Sequence, residues 1–382
     1  MPQYGKYGLE DSKPMKKIAA ILLALLMVAT LFTACGGKKE TYEIALVTDV
    51  GNIDDKSFNE GTWNGVKEYA EENNKTYAYY RPTEDSQAAR VETIGTAIEG
   101  GAKVVVCPGY LFETALYEVQ DKYPETMFIL IDGQPNDGDY THEGGMPIYK
   151  TSANVHCILY QEEQAGFFAG YAAVMDGYRN LGFLGGMAVP AVIRYGYGFV
   201  QGAEAAAAAL GLAAGDVNVK YWYCGVFAPS DDIKVKMSGW YSEGTEVVFA
   251  CGGGIYISAL AAAEEGSGKV IGVDVDQAGE SELIITSAMK LLTQSVKIAL
   301  GELYANDGKW PETAAGKTAV LGAAQDCVGL PTAEGSWRLS TFTVEQYNAL
   351  YEQVKSGAVV VDSSADPAVK PATTLCIVDY QE

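Results

Sequence analysis

Val104-Val105-Val106-Cys107-Pro108-Gly109, followed by a helical pattern and then Phe128-Ile129-Leu130-Ile131-Asp132-Gly133-Gln134, decides the fold. Two continuous apolar runs of strand length with a helix between them read as parallel strands buried on both faces. The plan returns later in the chain. Val247-Val248-Phe249-Ala250-Cys251-Gly252 leads to Val270-Ile271-Gly272-Val273-Asp274, offset by 143 at Gly109 and Gly252 and by 142 at Asp132 and Asp274. An earlier pair, Ile44-Ala45-Leu46-Val47-Thr48-Asp49 and Leu181-Gly182-Phe183-Leu184-Gly185-Gly186, is offset by 137, which also superposes Phe58 on Tyr195, Gly61 on Gly198 and Gly65 on Gly202. A repeat at this spacing describes two similar α/β lobes.

Outward from these runs, strand patterns at 43–48, 76–81, 103–107, 127–131, 181–185, 246–251 and 269–273 alternate with helical patterns such as Asn59–Glu72, Ala88–Glu99, Gln161–Met175 and Ile255–Glu265. That alternation is the signature of parallel sheets covered by helices. The expected architecture is two Rossmann-like lobes joined by a hinge. Residues 42–151 form the first lobe, completed by part of 280–330, and 152–279 the second, completed by part of 331–382. Ligands in open parallel sheets sit beyond the carboxyl ends of the strands, so two facing lobes would close on one cleft.

The chain has 382 residues, with 27 Lys plus Arg against 49 Asp plus Glu and a formal charge of −22. A nucleic-acid backbone needs a basic face, so no nucleic-acid partner is expected. Lys16 and Lys17 precede an apolar run, Ile18 to Phe32, whose fifteen residues would span about 22 Å as a helix, short of the roughly 30 Å hydrocarbon core. The run reads as a signal peptide. Thr33-Ala34-Cys35 at its end is similar to the lipobox of bacterial lipoproteins, in which the cysteine becomes the lipidated N-terminus. Residues 1–34 are then leader and signal peptide, Cys35 the lipid attachment site and 35–41 a linker. Removal of 1–34 takes away four lysines and two acids, leaving a body at −24. The expected place is the extracytoplasmic face of the cell membrane, as a lipid-anchored monomer.

Six cysteines remain, without a C-x-x-C, several of them in apolar strand patterns where they read as small buried hydrophobes. His142 and His156 lack metal-ligand spacing, and neither H-E-x-x-H, G-x-S-x-G nor a P-loop is present. Asp49, Asp54 and Asp55 do not make a calcium loop, because Gly51 and Ile53 stand where side-chain oxygens are needed. No metal, cofactor or catalytic group is expected, and the chain reads as no enzyme. The strand ends instead supply Asp49, Tyr110, Asp132, Asp274 and Asp276, with Gly252 and Gly253 for close backbone approach and Phe58 and Tyr195 at equivalent helix starts. Carboxylates accept hydroxyl hydrogen bonds from a sugar diol, and paired aromatics sandwich a flat ring. A nucleoside combines both.

Val47-Thr48-Asp49-Val50-Gly51-Asn52-Ile53-Asp54-Asp55-Lys56-Ser57-Phe58-Asn59 resembles the opening motif of the basic membrane protein family, the purine-nucleoside receptor lipoproteins of ABC transporters. Val106 to Tyr110, Glu163 to Tyr171, Leu181 to Met187, Gly272 to Gln277 and Thr286 to Lys290 continue the resemblance in order. It implies a type I periplasmic-binding-protein fold and an ABC permease as partner. It also implies that Phe58 stacks on a base, that Asp49 and Asn59 beside Ser57 hydrogen-bond the ligand, that Asp274 holds ribose hydroxyls and that Lys290 contacts or organises the site. The chain departs from the family pattern in having Tyr195 where many relatives have Phe, with Tyr197 as a neighbour, and Thr114 where an acid is common, with Glu113 as a stand-in. A sugar or polyol receptor of the same fold, a surface adhesion or signalling lipoprotein, and a nucleoside-cleaving enzyme are the competing readings.

Overall fold

The computed structural model describes residues 1–3 and 41–382. The expected leader from residue 4 on, the expected signal peptide, Cys35 and the expected linker up to residue 40 lie outside the described residues. The apolar runs become strands with every residue buried: Ile44–Val47 (β1), Val104–Pro108 (β3) and Met127–Ile131 (β4) in one sheet, Val247–Cys251 (β8) in the other. Tyr77–Tyr80 (β2), Val155–Tyr160 (β5) and Lys317–Leu321 (β11) complete the first sheet in the order β11-β5-β4-β3-β1-β2, all parallel. The second sheet adds Asn180–Gly185 (β6), Val217–Tyr223 (β7), Lys269–Asp274 (β9), Ile284–Lys290 (β10), Val328–Gly329 (β12) and Cys376–Gln381 (β13). Its order is β12-β10-β9-β8-β6-β7-β13, with β12 antiparallel. The inner order 5-4-3-1-2 of the first sheet is the order 10-9-8-6-7 of the second, as the sequence repeat requires.

The first lobe carries helices Phe58–Glu72 (α1), Gln87–Glu99 (α2) and Glu113–Val119 (α3); the second carries Pro190–Leu210 (α5), Asp231–Ser242 (α6) and Tyr256–Gly266 (α7). Two further helices cross over. Glu162–Met175 (α4) follows β5 of the first sheet but packs on α5, and Leu292–Ala305 (α8) follows β10 of the second sheet but packs on α1. Val344–Lys355 (α9) starts on a capping box between Thr343 and Gln346. Tyr42–Glu382 is one compact unit.

The expected division at 151/152 and 279/280 shifts accordingly. β5 belongs to the first sheet although it follows 152, and β10 and β12 belong to the second although they lie within 280–330. The physical reason is that each lobe completes its fifth strand before the chain leaves it, so the crossings fall at 160–162, 290–292 and 321–328. The described cysteines are free thiols, all buried except Cys224, which is half-buried.

Candidate functional site

The carboxyl ends of the two sheets face a cleft of about 730 Å³. On the first lobe the turn between β1 and α1 builds the wall. Asp55 Oδ1 accepts the Ser57 and Glu60 N–H groups at 2.9 and 3.0 Å, and its Oδ2 accepts that of Asn59 at 3.1 Å, so Asp55 caps α1. Asn59 Nδ2 donates to Asp49 Oδ1 at 2.9 Å and to Asp55 Oδ2 at 3.1 Å, which fixes the amide orientation. Asp49 Oδ1 also accepts the Gly51 N–H at 2.7 Å, leaving Oδ2 toward the end of β3. A β-carbon at Gly109 would stand 3.4 Å from that oxygen and 3.5 Å from Phe58 Cε1, and Gly109 has φ +109°, so Asp49, the Phe58 ring edge and this glycine border one point of the cleft. Burial pushes the Asp49 carboxyl up and that of Asp55 up to about 6.

The floor belongs to both lobes. Asp132, the residue after β4, and Asp274, the last of β9, share a left-handed conformation, φ 59° and 66°, which aspartate tolerates better than most residues. Both face Lys290, whose Nζ pairs with Asp132 Oδ2 and lies 3.4 Å from Glu162 Oε1 and 3.8 Å from Asp274 Oδ1. The Phe58, Tyr160 and Tyr195 rings surround this ammonium at 4.9, 5.3 and 5.5 Å. Burial disfavours the charge, but Asp132, Glu162 and Asp274 outweigh it and hold Lys290 well above its ordinary value. Asp274 Oδ2 accepts from Ser57 Oγ at 2.7 Å, and Gln277 Nε2 donates to the Lys56 carbonyl at 2.8 Å. Like the Lys290–Asp132 pair, these bonds join one lobe to the other.

Of the residues expected at the site, Asp49, Phe58, Asn59, Tyr110, Tyr195, Gly252, Gly253, Asp274 and Lys290 line the cleft. Three differ from expectation. Tyr195 is 1% exposed, packs edge-on against Phe249 and directs its hydroxyl to the Ala288 carbonyl at 3.3 Å and Asp274 Oδ1 at 3.5 Å. It supports Asp274 from below and is no stacking face. Ser57 is fully buried and spends its hydroxyl on Asp274. Asp276 is exposed and off the cleft, accepting from the Ser336 hydroxyl and from the Ala278 N–H at 3.0 Å. Glu113 also lies off the cleft. It accepts from the Gln134 N–H and from Asn136 Nδ2, both at 2.7 Å, bracing the segment after β4, and burial pushes it up to about 7.

Phe227, half-buried in the loop after β7, also lines the cleft from the second lobe, its carbonyl accepting the Gly254 N–H at 2.9 Å. A β-carbon at Gly186 would stand 2.5 Å from the Phe227 ring, so the glycine just after β6 makes room for it. Sequence reading missed Phe227 because it missed β7. Had Val217–Tyr223 been recognised as a strand, this loop would have fallen at a strand's carboxyl end.

The family model described as ABC transporter substrate-binding protein PnrA-like (Bmp) matches residues 43–364. The chain belongs to this family. Its relatives include the ABC transporter nucleoside-binding protein BmpA of Lactococcus lactis subsp. cremoris, 26% identical over 330 residues that cover 78% of this chain and 87% of that one. Basic membrane protein A1 of Borrelia garinii subsp. bavariensis is 29% identical over 289 residues, covering 73% and 78%. A crystal structure of an ABC transporter solute-binding protein from Aeropyrum pernix K1 superposes with a TM-score of 0.70 at 21% identity, covering 85% of this chain and 94% of that one. That likeness shows the type I periplasmic-binding-protein fold. As a Bmp-family member the chain is the substrate-binding protein of an ABC transporter, not an enzyme, and works with a small ligand and a permease. Among the described residues no helix is long and apolar enough to cross a membrane, and no His/Cys/Asp/Glu group has the form of a metal site.

Proposed function

We propose that this chain is a lipid-anchored, extracytoplasmic receptor that captures a purine nucleoside and delivers it to a permease for import. The observation that carries this reading is one cleft with Phe58 on the first lobe, Phe227 on the second and Asp274 with Lys290 at its floor. The base lies between the two phenylalanines with its edge toward Asp49. The ribose hydroxyls donate to Asp274, whose carboxylate Ser57 and Tyr195 hold in place. The L. lactis relative named as nucleoside-binding supports the ligand class. Lipid attachment is at Cys35, no cofactor takes part, and the working form is a monomer.

Calorimetry with nucleosides, free bases and sugars tests the reading. Nucleosides bind; sugar binding without nucleoside binding overturns it in favour of a polyol receptor. Phe58→Ala and Phe227→Ala each weaken nucleoside affinity by about 1–3 kcal/mol, while Tyr197→Phe leaves it unchanged. Loss of lipid labelling in Cys35→Ser tests the anchor.

A further inference from the structure

The floor of the cleft and the layer beneath it hold more acids than cations. Asp132 just past β4, Glu162 and Glu163 from α4 and Asp274 from β9 are buried, together with Lys290 from β10 and the mostly buried Arg194 from α5. Arg194 Nε donates to Glu162 Oε2 at 2.6 Å and lies 4.0 Å from Glu163 Oε2, while Lys290 serves Asp132, Glu162 and Asp274. Tyr160 from β5, Tyr195 from α5, Cys251 from β8 and Ser57 complete the titratable and polar surroundings. Four carboxylates thus share two cations.

A buried carboxylate without its own counter-charge takes up a proton rather than remain ionised. Asp132 Oδ1 and Glu163 Oε2 are buried with no hydrogen-bond partner, which costs an ionised carboxylate more than a neutral acid. Burial, outweighing Lys290, pushes Asp132 up to about 7, and burial beside Glu162 does the same to Glu163. The Arg194 and Lys290 charges overcome burial at Glu162 and hold it down, so the stored proton is not there.

Asp132 and Asp274 line the cleft, and Lys290 joins them across the two lobes. A ligand hydroxyl that donates to either acid favours its ionised form. We propose that ligand capture in this cleft is proton-coupled: a diol-bearing ligand settling on the Asp132–Lys290–Asp274 bridge displaces a proton from the cluster to solvent. The acid O–H bond breaks, the proton leaves to water, and the carboxylate accepts the ligand hydroxyl in its place. The inference rests on the proposed nucleoside reading, because it needs the ribose diol.

Calorimetry of the wild-type protein with inosine and with 2′,3′-dideoxyinosine, in phosphate and in Tris, at about pH 6, 7 and 8 tests it. Inosine binding releases up to one proton, seen as a buffer-dependent heat. Its affinity rises with pH below about 7, by at most tenfold per pH unit, and levels off by about pH 8. The dideoxy compound binds more weakly with a buffer-independent heat. Inosine binding with the same heat in both buffers and a flat affinity across this range overturns the inference and leaves the nucleoside reading standing, as does net proton uptake. Failure of any nucleoside to bind at any pH overturns both. Asp132→Asn, of nearly the same shape, flattens the pH profile where it folds; a profile unchanged in that variant removes the proton from this bridge. The buffer comparison needs no variant.

Discussion

Two helix pairs pack the crossover segments, and they differ in how close the backbones come. In the second lobe both partners are bare at the contact. A β-carbon at Gly166 or Gly170 of α4 would stand 2.0 Å from the Tyr195 or Phe199 carbonyl oxygen, and one at Gly198 or Gly202 of α5 would stand 2.0 Å from that of Glu163 or Phe167. Backbone therefore lies on backbone, the spacing at which Cα–H groups meet carbonyls. In the first lobe only α1 is bare. A β-carbon at Gly65 would stand 2.7 Å from Val296 Cβ and 2.8 Å from the Thr293 carbonyl oxygen, and one at Gly61 would stand 2.9 Å from Leu292 Cδ1. Side chains of α8 fill the notch that glycines leave. α4 and α8 begin alike, on Gln161 (φ −91°, ψ 68°) and Leu291 (φ −81°, ψ 58°), but their first residues are Glu162 and Leu292. One copy of the plan has put charge where the other has put packing. The closer pair brings Glu162 and Arg194 together beneath the cleft, next to Lys290.

The largest effect breaks the closer pair. Gly198→Ala puts a methyl group against a helix carbonyl that cannot rotate away, so it destabilises by about 3 kcal/mol even after the roughly 1 kcal/mol that Ala gains over Gly in a helix. Urea unfolding measures it, and a cost below that of Gly65→Ala would mean the backbones are not in contact. Ligand affinity in the surviving folded fraction falls as well, because α5 carries Arg194 and Tyr195.

Gly65→Ala is milder, about 1 kcal/mol, since part of what it meets is side chain. Val296 occupies on α8 the place that Gly166 has on α4, so Val296→Gly recreates the bare partner. The double variant Gly65→Ala with Val296→Gly costs about 1 kcal/mol less than the sum of the single variants. Strict additivity in the unfolding free energies would show that the notch and the valine do not share one contact.

What was legible in the sequence follows the same division. Strands buried on both faces show as continuous apolar runs, so β1, β3, β4, β8 and β9 and the repeat relating them could be read directly. β7 could not, because Val217-Asn218-Val219-Lys220-Tyr221-Trp222-Tyr223 alternates burial along an outer position of the sheet, and with it went Phe227. The repeat also misled at Tyr195. Its register with Phe58 is right for the backbone, but α5 is buried along most of its length against α4, whereas Phe58 opens a helix that presents one face to the cleft. Equivalent place in a repeat fixes direction of the chain, not exposure of the side chain. The crossing helices that moved the lobe boundaries are invisible to periodicity, since a helix carries no mark of which sheet it covers. Asp276, two residues past Asp274, lies beyond the strand end and points away from the cleft wall.

The smallest effect controls for the others. Gly239 sits inside α6, and apart from its chain neighbours and its own helix backbone no atom lies within 4 Å of where its β-carbon would be. Gly239→Ala carries the helix-propensity gain and no collision, so it stabilises by about 0.5–1 kcal/mol. With that value measured in the same protein, the propensity part of Gly198→Ala and Gly65→Ala can be subtracted, and what remains is contact alone. If Gly239→Ala destabilises, then alanine is unfavourable in these helices for a reason unrelated to packing, and the contrast between the two pairs loses its physical basis. A gain here with losses at 198 and 65, the former larger, locates the difference in how near each glycine lies to its neighbour.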